Sequence, residues 1–149
     1  MARFIHGLAN PPYGLLPLTP HIYTLRVYYQ DTDAGGVVYH ANYLSFGERA
    51  RTEALRDMGT PHAQMIAEHG VLFVVRRVNL HYQRPARLED VIRIETRITF
   101  VGGASVTINQ HFWRDSDSLA VLEVGLGCVR VSDGRAARIP ADWAMKLKL

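Results

Sequence analysis

The chain has 149 residues, of which 48% are hydrophobic and 21% charged, with a formal net charge of +3. That is the size and balance of one soluble globular domain, and it excludes a low-complexity, coiled-coil or collagen-like chain. The basic residues are scattered, without a run that would mark a nucleic-acid tail, and no apolar stretch nears the ~20 residues of a membrane span.

The first twenty residues carry four prolines and no continuous apolar run. They read as an irregular arm (1–20), not a signal peptide, followed by a single domain (21–149). With Cys128 as the sole cysteine no intrachain disulfide can form, which suits a reducing compartment, and the cytoplasm is the expected location. Cys128 lies in an apolar run and reads as a small buried hydrophobe.

In chain order, His21–Gln30 alternates, with Tyr23, Leu25, Val27 and Tyr29 on one side, and predicts a strand. A turn follows at Asp31–Gly36. Asn42–Met58 predicts a helix with Asn42 as N-cap, Gly59 just past the end and Pro61 as a stop. Tyr43, Phe46, Gly47, Ala50, Ala54 and Met58 form its apolar stripe, which Gly47 and the alanines keep narrow enough for a sheet to approach closely. Glu48, Arg49, Arg51, Glu53, Arg56 and Asp57 make the wet side. A short second helix is expected near Pro61–His69.

The rest reads as β. Val71–Gln83, Val91–Phe100, Ser105–Arg114 and Leu119–Val131 are four strands, and in the second of these Ile92, Ile94, Ile98 and Phe100 should face inward. Short turns between them imply antiparallel neighbours. One helix cannot cover both faces of five strands. The expected plan is therefore α+β, with a curved five-stranded antiparallel sheet wrapped around one long helix and its outer face covered by another subunit.

Several motifs fail their tests. None of the seven histidines pairs with another at i,i+4 on a helix, so no metal site is expected. Asp31-x-Asp33 starts like a calcium loop, but its fifth position is Gly35 and its twelfth Asn42. Gly125-Leu-Gly127 lacks a third glycine, and Ser45 and Ser105 lack a nucleophile-elbow setting.

The stretch from Gln30 to Asn42 is different. Asp31 and Asp33 can cap their own turn, and Gly35 and Gly36 can supply positive φ. The same turn also feeds a helix start, where free N–H groups and the dipole favour negative charge. A carboxylate beside oxyanion-binding N–H groups is a minimal acyl-transfer site.

These residues carry a resemblance. Tyr29-x-Asp31-Thr-Asp33-Ala-Gly-Gly-Val-Val-Tyr39-His40-Ala-Asn42-Tyr43, followed by Glu48-Arg-Ala-Arg51, closely resembles the signature of the hot-dog thioesterases of the 4-hydroxybenzoyl-CoA type. Within that family it is most similar to the YbgC-like acyl-CoA thioesterases associated with the Tol-Pal envelope system. Tyr82-x-x-Pro85-Ala86-x-Leu88-x-Asp90 fits the same family, and the likeness spans roughly Tyr23 to Val131. The arm has no alignable counterpart.

The resemblance implies hydrolysis of a short-chain or aromatic acyl-CoA to free acid and CoA, with no cofactor beyond the CoA of the substrate. It implies a homodimer or homotetramer with its site at the subunit interface. Asp33 matches the catalytic carboxylate, His40 and Tyr29 match further motif positions at the site, and Asp31 does not match the catalytic acid. The oxyanion donor is expected among the backbone N–H groups of Tyr39 and His40. Arg76, Arg77, Arg84 and Arg87 are candidates to meet the CoA phosphates. Two other readings compete: a hot-dog dehydratase using His40 with Asp33, and a non-catalytic protein that binds an acyl-carrier protein or the Tol-Pal system.

Overall fold

The computed structural model describes residues 19–148, so the expected arm lies outside the described residues except for Thr19 and Pro20. The elements run β1 (His21–Arg26), α1 (Asn42–Asp57), α2 (His62–His69), β2 (Val71–Tyr82), β3 (Val91–Val101), β4 (Ser105–Arg114), β5 (Asp117–Arg130) and α3 (Ala141–Leu147). The strands form one antiparallel sheet in the order β1-β3-β4-β5-β2. α1 packs across its concave face, which is the α+β plan expected.

Alternation builds the core. Ile92, Ile94 and Ile98 of β3, Ile108 and Phe112 of β4, and Leu122 and Val124 of β5 are buried against Tyr43, Phe46, Ala50 and Leu55 of α1. Burying these side chains is the main driving force for the fold, at roughly 1.5–3 kcal/mol each. The approach at Gly47 is close: a Cβ there would lie 2.8 Å from Leu122 Cδ2 and 2.9 Å from Gln110 Oε1.

Four expectations are corrected by the structure. First, β1 ends at Arg26, and Tyr29–Asp31 forms a single 3-10 turn instead of continuing the strand. The Asp31 carboxylate accepts the Tyr28 N–H at 2.8 Å and stops the strand there. Tyr29 is consequently 83% exposed, not on an apolar face. Second, Arg51 is buried, not on the wet side, because Gln110 waits for it inside the sheet. Third, a register shift between Ile98 and Phe100 turns Phe100 outward. Fourth, Asn42 does not cap α1: the N-cap is Ala41, without a side-chain bond, and the Asn42 amide instead donates to the Asp31 carbonyl at 2.9 Å.

α3 was not expected. Pro140 precedes it, and Trp143 and Leu147, four apart, bury one face of it. At the sheet's other edge β2 is exposed along most of its length, and its outer rim faces no other strand among the described residues. α1 leaves the concave side of β2 open, so Val75 and Val78 are exposed there. Among the described residues no helix is long and apolar enough to cross a membrane.

Candidate active site

The loop between β1 and α1 folds back on itself. The Asp33 N–H donates to the Val37 carbonyl at 2.9 Å and the Gly36 N–H to the Asp33 carbonyl at 3.0 Å, with Gly36 at φ 77°. That positive φ is easily met by glycine and strained for most other residues. The Asp33 Oδ1 accepts the Gly35 N–H at 2.8 Å, and Gly35 leaves the room: a Cβ there would lie 3.1 Å from that oxygen. The Asx turn expected of Asp33 is thus formed, and it uses one carboxylate oxygen.

The loop is then stitched to the sheet and to α1. The Val38 N–H donates to the Ala86 carbonyl at 2.8 Å. The Asp31 carbonyl accepts both the Tyr39 N–H at 2.9 Å and the Asn42 side-chain amide at 2.9 Å. The Asn42 N–H closes the turn onto the Tyr39 carbonyl at 2.9 Å. Asp31 is therefore the structural aspartate of the pair, with its side chain and its carbonyl both committed.

These bonds correct the expectation for Tyr39. Its N–H is already donated to Asp31 and cannot also receive a substrate oxygen. The N–H groups of His40 and Ala41 have no acceptor among the described residues. They lie where a helix start presents unpaired donors and its positive dipole end. Of the two amides expected from sequence, His40 retains a free donor.

Asp33, Val37, Val38, His40, Tyr43, Tyr82, Gln83, Arg84 and Pro85 line one cavity of about 290 Å³. Asp33 and His40 are both exposed in it. Tyr29 does not line it. Beneath the cavity, burial raises the Tyr43 phenol above its ordinary value; Tyr43 meets Phe112 and Tyr82 edge-on. A second cavity of about 280 Å³ lies further along the α1–β2 seam, between Leu44, Ser45, Glu48, Arg51, Val75 and Val78.

The four arginines separate. Arg84 lines the site cavity and donates to the Ser118 carbonyl at 3.0 Å. Arg87 bridges Val37, so its backbone supports the same loop. Arg77 pairs with Glu123 at 2.9 Å and lies against Gly125, while Arg76 lies over Gly127. Those two sit on the convex side of the sheet, away from the cavity, because the shift in register between Val75 and Arg77 turns both side chains the same way.

Sequence reasoning singled out neither Tyr43 nor Tyr82 for the site. The spacing Tyr82-x-x-Pro85-Ala86 was the available signal, since it places Tyr82 at the end of β2 just before the segment that pairs with Val38. Elsewhere, Glu68, His69 and Asp142 bring ligand-type atoms within 4.8 Å of one another. All three are exposed and lie on α2 and α3, apart from the loop described above. Cys128 is buried, and burial raises its thiol above the usual range, which leaves it unreactive.

A loop carboxylate and free helix-start amides, on a sheet curled around one helix, suit a class of acyl-transfer enzymes. The comparisons with known proteins agree. Residues 27–147 match the thioesterase-like superfamily model. The chain is 47% identical over 125 residues to the acyl-CoA thioester hydrolase YbgC of Escherichia coli O6:H1, covering 83% of this chain and 92% of that one. It is 38% identical over 120 residues to the acyl-CoA thioesterase YbgC of Haemophilus influenzae, covering 80% and 88%. A probable thioesterase from Bartonella henselae superposes with a TM-score of 0.77 at 35% identity, covering 81% of this chain and 99% of that one.

The chain belongs to the thioesterase-like superfamily, in its YbgC branch, and is a thioester hydrolase of hot-dog fold.

Proposed function

We propose that this protein hydrolyses short-chain or aromatic acyl-CoA thioesters to the free acid and CoA, with Asp33 as the reacting carboxylate. What supports the reading is that Asp33 and His40 line one cavity at the start of α1, where the His40 N–H has no acceptor among the described residues. A thioester carbonyl seated there accepts the His40 N–H as its oxygen gains negative charge. Such a donor contributes on the order of 10²–10³ in turnover. Asp33 either takes a proton from a water that attacks the carbonyl carbon, or attacks that carbon itself to give a mixed anhydride that a water then cleaves to the free acid and Asp33. The C–S bond breaks and the sulfur leaves as CoA thiolate, which takes up a proton from water.

The imidazole of His40, 4.5 Å from the Tyr39 ring, belongs to a residue lining this cavity and can orient the attacking water or assist the departing sulfur. Arg84 is the arginine suited to a CoA phosphate from the same cavity. The active form is a homodimer. Support comes from β2, twelve residues of edge strand with Val74, Val75 and Val78 exposed, since a long apolar edge of this kind favours pairing with another chain. A second copy there would close the seam between Leu44 and Val75.

The test is release of free thiol from a panel of acyl-CoAs. Release of CoA from short or aromatic acyl groups, with no change in acyl unsaturation, is the expected result. Binding without release would reject hydrolysis, and appearance or loss of a double bond would indicate a dehydratase. A single turnover in ¹⁸O water bears on the route: label in Asp33 marks direct attack, with water opening the anhydride at the Asp33 carboxyl carbon.

A further inference from the structure

We propose that Tyr82 is a positioning residue of this site, whose hydroxyl clamps the His40–Ala41 peptide so that the Ala41 N–H and the His40 imidazole are aimed before substrate arrives. The proposal rests on the reading of Asp33 and His40 given above.

Tyr82 is the last residue of β2, and its hydroxyl donates to the His40 carbonyl at 2.7 Å across 42 positions of sequence. The bond is not forced by burial. Tyr82 is 51% exposed, so water could serve its hydroxyl as well, and the chain nevertheless spends that donor on the turn before α1. The ring itself is held. It meets Tyr43 edge-on at 5.4 Å, and Tyr43 is buried against Phe46 and Phe112. The hydroxyl therefore projects from a fixed ring that is packed on the core.

The consequence follows from peptide geometry. Each peptide unit is planar, with its C=O and N–H pointing opposite ways. The plane before His40 is set by the Asn42 N–H, which donates to the Tyr39 carbonyl at 2.9 Å. The plane after His40 is set by the Tyr82 hydroxyl. With both planes held, φ and ψ of His40 are restricted, and with them the direction of its imidazole. The Asn42 bond thus aims the His40 N–H, and the Tyr82 bond aims the Ala41 N–H, which likewise has no acceptor among the described residues. A hydrogen bond weakens steeply once its angle drops toward ~120°, so this aim matters more as charge builds on the carbonyl oxygen than when substrate first binds.

The substitution Tyr82→Phe removes the hydroxyl and keeps the ring. It should lower kcat about ten- to a hundredfold, part of the value of one oxyanion donor, with KM within about twofold of wild type. A pair of inhibitors sharpens the test. An S-alkyl-CoA thioether, which has no carbonyl, should bind Tyr82→Phe as well as wild type. A trifluoromethyl-ketone analogue of CoA, which forms a tetrahedral oxyanion, should lose affinity by the factor lost in kcat.

Unchanged kcat in Tyr82→Phe overturns the proposal. So does an equal loss of affinity for both analogues, which would mark Tyr82 as packing alone. Wild-type enzyme and Asp33→Asn are assayed alongside. An active wild type with an unaffected Tyr82→Phe defeats only the role of Tyr82, whereas a wild type that turns over no acyl-CoA defeats the thioesterase reading together with it.

Discussion

Arg51 Nη1 donates to Gln110 Oε1 at 2.9 Å inside the core, joining the middle of α1 to β4. The Gln110 amide nitrogen continues the chain of bonds to the Gly47 carbonyl at 2.9 Å and to Thr96 Oγ1 at 3.0 Å. Burial makes the guanidinium easier to deprotonate than usual, with the Glu48 carboxylate opposing that shift. The network fixes α1 on the sheet, and so fixes the helix start at which His40 presents its amide.

Breaking it should be expensive. Gln110→Leu leaves the Arg51 charge and the Gly47 carbonyl without their buried partner, and we expect a loss of about 2–4 kcal/mol. Urea unfolding checks this: the midpoint should fall with the slope unchanged. Retention of wild-type stability would show that the network contributes nothing.

Gly47→Ala sets two effects against each other. Alanine is favoured over glycine inside a helix by about 1 kcal/mol. The added methyl, however, would stand 2.8 Å from Leu122 Cδ2 and 2.9 Å from Gln110 Oε1. Leu122 is buried and Gln110 is held by three bonds, so neither moves aside cheaply. Overpacking of about 1–3 kcal/mol should win, and thermal unfolding should show a lower Tm.

The pH dependence of stability has a definite sign. The His111 ring stacks on Trp113 at 3.9 Å, and its Nε2 lies 2.6 Å from Ser118 Oγ. Burial lowers its pKa below the ordinary 6.5; Glu95 opposes the shift and Arg93 adds to it. The folded form thus binds fewer protons than the unfolded one. Its contribution is present above pH 6.5 and is lost as pH falls from there through the folded value. His62, lowered chiefly by burial, acts in the same direction. Between pH 7 and pH 5 wild type should lose more stability than His111→Gln, measured by urea unfolding at each pH. Parallel losses would contradict this.

Much of the fold was legible in the sequence, because alternation and short turns are local. β3 reads correctly through Ile98 and fails at Phe100, where one extra residue inverts the pattern. Arg51 was misread for another reason: its partner lies 59 positions away, and a charged residue on a helix looks wet until the sheet behind it is known. At the site, Asp33 and His40 stood out by residue type and spacing. The fate of the Tyr39 amide did not, since it depends on where the Asp31 carbonyl lands after the 3-10 turn. The hydroxyl of Tyr82 was hidden for a similar reason, because only the folded register of β2 brings it to His40. α3 left a readable trace in Pro140, Trp143 and Leu147 that was not used.

The most direct measurement is the turnover of Asp33→Asn on an acyl-CoA that wild type hydrolyses. Asparagine keeps an oxygen for the Gly35 N–H, so the Asx turn and the Tm should be preserved while the reacting charge is gone. The account predicts a loss of kcat of about 10²–10⁴ with an unchanged melting temperature. Turnover within about threefold of wild type, in a properly folded Asp33→Asn, would contradict it.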